Sequence, residues 1–345
     1  MATIKDVAEL ANVSSATVSR ILNNDKTLSV PEETRQAVFN AAKELNYIKK
    51  RKATKNEFTI GIVQWYSLQQ EIDDPYYLQI RQGIENFCLQ NNINVIRTFR
   101  ADQNYLDVLK GVDGLVCVGK FNNNEISQFK KISNKVIFLD MHSPNSDDST
   151  ITLDFHKAVI DALDYLKSLN HHKIGYLGGK EYLEDNVVYQ DARKEIFIDY
   201  CNKNKIIYKK YLLEGEFTTE SGYSMMMDLI NQKDLPSAIF CASDPIAIGA
   251  LRALQEHNLS VPRDISLVGF DDIKAASFTN PPLTTIYAPA SLMGEYGASM
   301  VYNILSKYNS PTPMRITLPC TLIERESCKK VDSVSYTHLT LPTIL

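Results

Sequence analysis

Aromatic and acidic side chains follow several apolar, strand-like segments of this chain. Because ligands bind open α/β sheets outside the carboxyl ends of the strands, side chains at these positions are candidate ligand contacts. Aromatic faces beside carboxylates, a cation and a hydroxyl favour a ligand that is apolar on its ring faces and rich in hydroxyl groups at its edge. The candidates are Trp65 and Tyr66, Gly119 and Lys120, Asp140, Ser243 and Asp244, and Asp271 and Asp272.

Each of these acidic residues also has a structural role open to it. Asp244 and Asp272 directly precede predicted helices, so we favour capping of a helix N-terminus for these two. For Asp140 and Asp271 we favour ligand contact instead. Arg193 lies inside a helical pattern, where an arginine taken alone is more often a surface charge.

The first fifty residues carry a second set of candidate contacts, which is suited to DNA. Helical patterns of apolar residues at 4–10 and 15–23 are separated by a turn at 12–14, and a third pattern runs from 31 to 45. Two helices joined by so tight a turn predict a helix-turn-helix, in which the second helix enters the major groove. Ser14 is the predicted N-cap of that second helix.

Side chains on and after the second helix are the predicted DNA contacts. Those on its exposed face are short, which lets the helix lie deep in the groove, and Arg20 can pair bidentately with guanine. A generic surface helix with a stray arginine is the structural alternative. The exposed face consists of Ser15, Ala16, Thr17, Ser19 and Arg20, and Asn23, Thr27 and Tyr47 are placed to donate to phosphates.

Charge is distributed unevenly along the chain. Residues 1–55 hold ten Lys and Arg against six Asp and Glu, although the whole chain has a net charge of -4. The run from Lys49 to Lys52, with Lys55, contains no acid. This run could be a solvated linker or could contact DNA phosphates. Its position directly after the third helix favours contact with DNA. The pattern indicates a small basic head on a large acidic body.

From residue 58 onward, strand-like and helical segments alternate, which predicts an α/β fold with parallel sheets. Strands are expected at 58–65, 93–99, 114–119 and 135–140, and, after a polar stretch at 143–149, at 173–179, 238–243 and 265–270. Helices are expected near 76–91, 104–110, 123–131, 154–170, 188–204 and 244–257. This order predicts two open, doubly wound α/β units with the ligand site between them.

Composition and the amino terminus exclude several classes of protein. The 345 residues are 44% hydrophobic and 23% charged, as in ordinary globular proteins. No apolar run reaches the roughly 18 residues of a membrane helix. Lys5, Asp6 and Glu9 stand where a signal peptide would be apolar, so we expect a cytoplasmic protein with no membrane partner. The six cysteines form no C-x-x-C pair and have no histidine at metal spacing, so we expect buried thiols, no metal and no cofactor.

The stretch TIKDVAELANVSSATVSRILN, followed by VPEETRQAVFNAAKELNY, resembles the DNA-binding head of the lactose/galactose repressor family of bacterial transcription regulators. The resemblance implies that Ser15, Ala16 and Arg20 choose the operator bases, whereas the other contacts mainly position the head. The full set of predicted DNA contacts is Ile4, Ser14, Ser15, Ala16, Thr17, Ser19, Arg20, Asn23, Thr27, Tyr47, Lys50 and Arg51.

IFCASDPIAIGALRAL, VPRDISLVGFDDI and NPPLTTI are similar to the sugar-sensing core of the same family, which the chain follows to about residue 325. The resemblance implies that Arg193 and Asp271 hold the hydroxyls of the effector and that Phe217 stacks on its face. DDPYYLQIRQGIE, FLDMH and FTNPPLTT look most like the galactose-operon and evolved β-galactosidase repressor subgroup, which implies a galactose or β-galactoside effector. The predicted effector contacts are Trp65, Tyr66, Tyr76, Tyr77, Lys120, Asp140, Arg193, Phe217, Ser243, Asp271 and Tyr287.

The chain departs from the family pattern at three places. Ser243 stands where many members have Asn, so a shorter group must reach the ligand or use water. Ala288 aligns with a polar pocket residue of the lactose repressor and cannot hydrogen-bond through its side chain. The linker between 47 and 61 is shorter than that of the lactose repressor and lacks its hinge leucine, so the resemblance does not extend to a leucine inserted into the minor groove.

These observations divide the chain into a helix-turn-helix head, a linker, an effector-binding core and a tail. The expected bounds are 1–48, 49–57, 58–328 and 329–345, and the two lobes of the core are expected at about 58–152 with 288–314 and at about 153–287 with 315–328. The tail resembles translated vector sequence and is left out of the fold prediction. The family resemblance implies a homodimer on a pseudo-palindromic operator in double-stranded DNA.

Two other functions compete with a DNA-binding repressor. A sugar receptor of the transport type would share the architecture of the body, but it would need a signal peptide and would lack the basic head. An α/β enzyme is disfavoured because the chain has no G-x-S-x-G, no H-E-x-x-H and no P-loop. His171 and His172 are adjacent rather than facing each other. We therefore predict a repressor switched by a small sugar, and not an enzyme.

Overall fold

The three helices of the head enclose a small apolar core. This computed structural model describes residues 2–22, 25, 28–45, 47, 58–184, 187–307 and 312–331. Helices α1 (Ile4–Leu10), α2 (Ser15–Leu22) and α3 (Glu32–Glu44) confirm the three predicted helices. The side chains of Val7, Val18, Ile21 and Val38 are buried in one cluster. The turn between α1 and α2 passes through Asn12, whose φ of 49° is one that asparagine tolerates.

The chain divides into two units, at residues 1–55 and 56–345, and the second unit contains two lobes. The first lobe alternates strands and helices as the sequence predicts. Its elements in order are β1 (Thr59–Gln64), α4 (Leu68–Asp73), α5 (Tyr76–Gln90), β2 (Asn94–Phe99), α6 (Tyr105–Val108), β3 (Gly114–Val118), α7 (Asn123–Ile132), β4 (Val136–Leu139) and β5 (Ser149–Leu153).

The second lobe repeats this alternation and adds a short hairpin. Its elements in order are α8 (Phe155–Ser168), β6 (Ile174–Gly179), β7 (Glu181–Glu184), β8 (Val187–Tyr189), α9 (Ala192–Asn204), β9 (Leu212–Gly215), α10 (Thr219–Asn231), β10 (Ala238–Cys241), α11 (Asp244–Glu256), β11 (Ser266–Asp271) and β12 (Thr284–Tyr287). The hairpin is formed by β7 and β8, which pair antiparallel. Its position directly after β6 brings it to the carboxyl edge of the second sheet.

The last three elements cross between the lobes. Helix α12 (Ala290–Lys307) returns to the first lobe and packs on α5, so closely that a Cβ at Gly83 would lie 2.0 Å from the main-chain oxygen of Ser291. Strand β13 (Arg315–Leu318) then pairs with β5, and β14 (Thr321–Ile323) pairs antiparallel with β12. The sheet orders are β13-β5-β4-β3-β1-β2 and β14-β12-β11-β10-β6-β9. The molecule is thus an α/β protein with a helical head and two doubly wound lobes.

Three predicted boundaries differ from those observed. Because β13 belongs to the first sheet, the predicted lobe boundary before Arg315 is wrong, and the chain crosses after Leu318. The main-chain nitrogens of Lys329 and Val331 donate to the core at 3.1 and 2.9 Å, so these residues belong to the core rather than to the tail. The helix expected from 188 begins only at Ala192, where the Asp191 carboxylate caps it.

The linker 49–57 and the tail residues 332–345 lie outside the described residues. Within the part of the chain that the structure describes, no helix combines the length and the apolar character needed to cross a membrane.

Candidate functional site

Residues that follow strands of both sheets line one cavity between the lobes of the second unit. The space between its walls, counted out to and including the open mouth, is about 700 Å³. Eight of the eleven predicted effector contacts line it. They are Tyr76, Tyr77, Lys120 and Asp140 from the first lobe, and Arg193, Phe217, Ser243 and Asp271 from the second.

Asp140, which follows β4, is the centre of a buried hydrogen-bond network in the first lobe. Its carboxylate accepts hydrogen bonds from the hydroxyls of Tyr76 at 3.2 Å and Tyr77 at 2.8 Å. The Lys120 ammonium donates to the same carboxylate and to the main-chain oxygen of Asp140. Burial opposes the charge of Lys120, but the Asp140 carboxylate raises the pKa of the ammonium overall. The ammonium therefore keeps its charge, and the hydrogen bonds to Asp140 fix the two tyrosine rings in the cavity wall.

Arg193 is buried in the first turn of α9 and is not a surface charge. The Asp191 carboxylate accepts from its Nε and its Nη2 at 3.0 Å, and the main-chain oxygen of Ala242 accepts from Nη1 at 2.6 Å. Burial opposes its charge, but the Asp191 carboxylate raises the pKa of the guanidinium. The guanidinium carbon lies 5.0 to 5.3 Å from the ring centres of Phe155, Phe217 and Phe270. The cavity thus contains a cation held rigidly between aromatic faces.

Asp271, the last residue of β11, presents a carboxyl group to the cavity. It is 5% exposed, and no side chain among the described residues hydrogen-bonds its carboxylate. Burial, together with the neighbouring Asp74 carboxylate, raises the pKa of Asp271 well above its usual value. Asp74 itself accepts a hydrogen bond from the main-chain nitrogen of Tyr76 at 3.2 Å. A ligand hydroxyl that donated to Asp271 would satisfy a buried carboxylate that the described residues leave unpaired.

The helix-capping role predicted for Asp244 and Asp272 is wrong, although both carboxylates have structural partners. Ser243 is the N-cap of α11, because its hydroxyl accepts from the main-chain nitrogen of Ile246 at 3.4 Å. Asp244 accepts instead from the Thr285 hydroxyl at 2.6 Å and from the main-chain nitrogen of Ile273, in the loop after β11, at 2.8 Å. Asp272 forms an ion pair with Arg325 at 2.6 Å. Both carboxylates therefore hold the loop after β11 in place.

Three predicted effector contacts lie elsewhere. Trp65 and Tyr66 line an adjoining cavity rather than this one. Tyr287 is 43% exposed and lines neither cavity. The three residues of β12 before it are all buried, and Tyr287 is the exposed last residue of the strand. The structure does not bring Tyr287 to the predicted site.

The head presents α2 in the manner expected of a DNA-contact helix. The Ser14 hydroxyl accepts from the main-chain nitrogen of Thr17 at 3.1 Å, which confirms the predicted N-cap. Ala16 and Arg20 are exposed, and Ser15, Thr17 and Ser19 are half-buried. Arg20 forms an ion pair with Asp25 at 2.7 Å on the surface. Such exposed pairs contribute only about 0–1 kcal/mol, so this pair is a weak competitor for a base contact.

The other predicted DNA contacts fall into two groups. Ile4 and Tyr47 are half-buried and pack against the apolar core of the head, so they also have a structural role. Asn23, Thr27, Lys50 and Arg51 lie outside the described residues.

Two sequence comparisons identify the family. Residues 3–50 match the profile of bacterial regulatory proteins of the lacI family, and residues 163–328 match that of periplasmic binding protein-like domains. Over 344 residues the chain is 37% identical to the HTH-type transcriptional repressor MelR of Bacillus subtilis (strain 168), covering 95% of this chain and 98% of that protein. The chain belongs to the LacI family. It is thus related to transcriptional regulators and not to enzymes, as predicted.

Further LacI-family proteins are similar over nearly the whole chain. The HTH-type transcriptional regulator GalR of Streptococcus thermophilus is 35% identical over 93% of this chain and 98% of its own. The solved transcriptional regulator CelR–cellobiose complex is 26% identical, with a TM-score of 0.69 over 95% of this chain and all of that chain. The lac repressor dimer bound to operator and the anti-inducer ONPF is 27% identical, with a TM-score of 0.66 over 95% of this chain and 99% of that one.

The cavity of this LacI-family protein contains three acidic residues that the sequence reasoning missed. Asp74 and Asp191 each lie just before a helix, where an acid is usually assigned to capping. Glu181 begins the hairpin and accepts from the Tyr77 hydroxyl at 3.5 Å, across the cleft. The sequence signal for Asp74 was its place in DDPYYLQIRQGIE, but nothing in the local pattern distinguished Glu181 or Asp191 from surface acids.

The free energy of unfolding of this LacI-family core should fall as pH rises through 7. Burial raises the pKa of Glu181 to about 7 and that of Asp74 to about 6. Because these values exceed those of the unfolded chain, the folded state binds more protons between about pH 4 and pH 7. The stability that protonation gives is complete below about pH 4 and is lost as pH rises through the folded pKa.

Glu181→Gln should therefore stabilise the protein at pH 8 by about 1–3 kcal/mol and leave it nearly unchanged at pH 4. Urea unfolding at fixed protein concentration, at both pH values, measures the difference. Glu216→Gln is the matched control, because Glu216 is exposed and does not line the main cavity. If Glu181→Gln and the wild type lose the same free energy of unfolding between pH 4 and pH 8, the raised pKa does not belong to Glu181.

Proposed function

We propose that this protein is a cytoplasmic repressor of a sugar-utilisation operon, switched by galactose or a β-galactoside bound in the cavity between the lobes. The observation that carries the proposal is that one cavity presents a fixed cation, Arg193, and the carboxylate of Asp271, which no described side chain hydrogen-bonds, among aromatic faces. A pyranose offers hydroxyls to both groups and apolar ring faces to the aromatics. The likeness to the CelR–cellobiose complex supports a sugar, and no cofactor is required beside it.

We further propose that two copies of the chain pair on a pseudo-palindromic operator. A dimer places two copies of α2 in successive major grooves, and the likeness to the operator-bound lac repressor dimer supports this arrangement. Sugar bound in the cavity would change the position of one lobe relative to the other, and would therefore change the distance between the two heads of the dimer. Coupling of this kind is worth about 1–3 kcal/mol, or roughly 5- to 150-fold in operator affinity.

Fluorescence anisotropy tests the proposal directly. The full chain is titrated, at fixed salt, against labelled fragments from upstream of its own gene and of the neighbouring genes, with and without galactose, lactose and allolactose. Tight binding to one fragment, weakened several-fold by a galactoside, is the expected result. Tight binding that none of these sugars changes would keep the regulator and overturn the effector. A complete lack of sequence preference would overturn the operator contact.

Arg20→Ala should reduce the preference for operator over unrelated DNA. Its guanidinium is exposed on α2, where a bidentate contact with guanine is worth about 1–3 kcal/mol, so roughly 5- to 150-fold of specificity should be lost at one base pair. Lys50→Ala is the contrasting variant, because a phosphate contact should weaken binding to all DNA alike and lower the salt slope by about one. Anisotropy on single-base operator variants distinguishes the two. An Arg20→Ala protein with unchanged preference would refute the contact.

A further inference from the structure

The hairpin of β7 and β8 belongs to the second lobe, but its side chains contact the first. The Glu181 carboxylate accepts a hydrogen bond from the hydroxyl of Tyr77, on α5, at 3.5 Å. The ring centre of Tyr189 lies 5.3 Å from the ammonium of Lys120, which follows β3. Glu181 and Tyr189 are paired across the two strands, and both line the main cavity. The hairpin is therefore a part of the cavity wall that reaches from one lobe to the other.

Arg100 of the first lobe holds the main chain of this hairpin. It follows β2, and its guanidinium donates to the main-chain oxygen of Leu183 across the cleft. The Nε of the same guanidinium donates to the carboxylate of Glu125, in α7, at 2.6 Å. Glu125 is itself fixed, because its carboxylate accepts from the main-chain nitrogen of Asn122 at 3.0 Å in the capping box of α7. Arg100 thus links the beginning of a helix in the first lobe to β7 of the second.

The strand pairing explains why the main-chain oxygen of Leu183 is available to Arg100. The observed pairs on either side are Tyr182 with Val188 and Glu184 with Val187. Leu183 is therefore an extra residue of β7, and such a β-bulge leaves the extra residue out of the regular pairing of the strands. A main-chain oxygen in this position needs another donor, and a charged guanidinium is a strong one. The bulge and the arginine are complementary features on the two sides of the cleft.

We propose that Arg100 is a positioning residue of the effector site, which ties the hairpin to the first lobe and so couples sugar binding to the position of one lobe relative to the other. The inference rests on the proposed function, since it concerns the same site. Arg100 lines the adjoining cavity but not the main one, so it acts on the sugar through the hairpin.

The physical basis is reciprocal coupling between the tie and the sugar. A contact between the lobes contributes free energy only in the arrangement of the lobes in which it forms. Sugar held by side chains of both lobes favours that arrangement, and the tie favours sugar binding by the same factor. Loss of the tie should therefore weaken sugar binding although no group that lines the main cavity is changed.

Arg100→Met tests the proposal, because methionine keeps an unbranched apolar side chain and removes every donor. Arg97→Met is the matched control, since Arg97 lies on β2 and pairs with Glu85 at 3.2 Å within the first lobe. Calorimetry on the full chain with galactose, lactose and allolactose should show that Arg100→Met binds the tightest of these sugars about tenfold more weakly. Arg97→Met should bind it as the wild type does.

Operator anisotropy and hydrogen exchange distinguish positioning from general support of the fold. In Arg100→Met the sugar concentration that gives half of the operator response should rise about tenfold, whereas operator affinity without sugar should not fall. Main-chain amides of β7 and β8 should exchange faster than in the wild type, and those of β6 and β10 in the same lobe should not. A merely structural role would weaken operator binding as well and would not confine the change to the hairpin.

A double variant separates the tie from the charge that the single variant leaves behind. Arg100→Met/Glu125→Gln removes both charges, and glutamine keeps the capping box of α7. Its melting temperature should recover toward that of the wild type, and its sugar affinity should stay as low as in Arg100→Met. Recovery of full sugar affinity would assign the loss to the unpaired carboxylate of Glu125 and overturn the inference.

The remaining outcomes also decide between the two proposals. Full sugar affinity in Arg100→Met would overturn this inference and leave the proposed function standing. Weakened sugar binding with unchanged amide exchange in the hairpin would show that Arg100 does not act through it, and would overturn the inference too. If the wild type binds none of the three sugars, the proposed effector and this inference fall together.

Discussion

Replacing Arg193 with leucine should abolish the sugar response while the protein still binds its operator. The guanidinium is a buried cation of the cavity wall, and three phenylalanine rings surround it. Hydrogen bonds to the Asp191 carboxylate and to the main-chain oxygen of Ala242 fix its position. Leucine cannot donate hydrogen bonds to sugar oxygens, and it lacks the planar guanidinium that packs against the three rings. Hydrogen bonds to a charged group are worth about 1.5–3 kcal/mol each, so sugar affinity should fall on the order of a hundredfold or more.

Loss of stability must be separated from loss of binding in this experiment. Arg193→Leu leaves the Asp191 carboxylate buried and unpaired, which costs about 3–5 kcal/mol. The double variant Asp191→Asn/Arg193→Leu removes both charges and should recover much of that stability without recovering sugar binding. Calorimetry with sugar, thermal unfolding and operator anisotropy on the three proteins measure the separate effects. Full sugar affinity in the double variant would show that Arg193 only supports the fold.

The strand-end residues of the cavity could be predicted from sequence because their position follows from topology. Asp140, Ser243 and Asp271 each come directly after or at the end of an apolar parallel strand, and such ends meet at one edge of a sheet. Arg193 could not be found in this way. It lies in the first turn of α9, where helical periodicity assigns no partner, so only the family resemblance selected it.

The hairpin and the strand crossing could not be predicted for a different reason. Val187 and Val188 extend a helical-looking segment, and their pairing with β7 depends on where Asp191 starts α9. Strand β13 pairs with β5, more than 150 residues earlier in the chain, and no local pattern specifies which sheet such a strand joins. Glu181 and Tyr182 were therefore missed, although they line the cavities, because their role arises from long-range packing.

The same change, aspartate to asparagine, should have opposite effects on stability at two positions of the cavity. At Asp271 the carboxylate is buried without a side-chain partner among the described residues, and its pKa is raised by burial and by Asp74. Asp271→Asn removes this buried charge and keeps its shape. It should stabilise the protein at pH 8 and therefore raise its melting temperature there. The gain should vanish near pH 4, where both states bind the proton.

Asp140→Asn removes a carboxylate that Lys120, Tyr76 and Tyr77 satisfy, so it leaves the ammonium of Lys120 buried without its ion-pair partner. Breaking such a pair costs about 3–5 kcal/mol.

Sugar affinity separates function from stability in these two variants. Asp271→Asn should bind sugar about 10- to 100-fold more weakly despite its greater stability, because an amide oxygen accepts hydroxyl protons less strongly than a carboxylate. Thermal unfolding at pH 4 and 8 and calorimetry with the best-binding sugar measure both effects. If Asp271→Asn gains stability and keeps full affinity, the carboxylate does not hold the ligand. If it loses stability, the carboxylate of Asp271 is not an uncompensated group in the folded protein. A gain in stability together with a loss of sugar affinity would show that the core retains Asp271, at a cost in stability, because the sugar needs its carboxyl group.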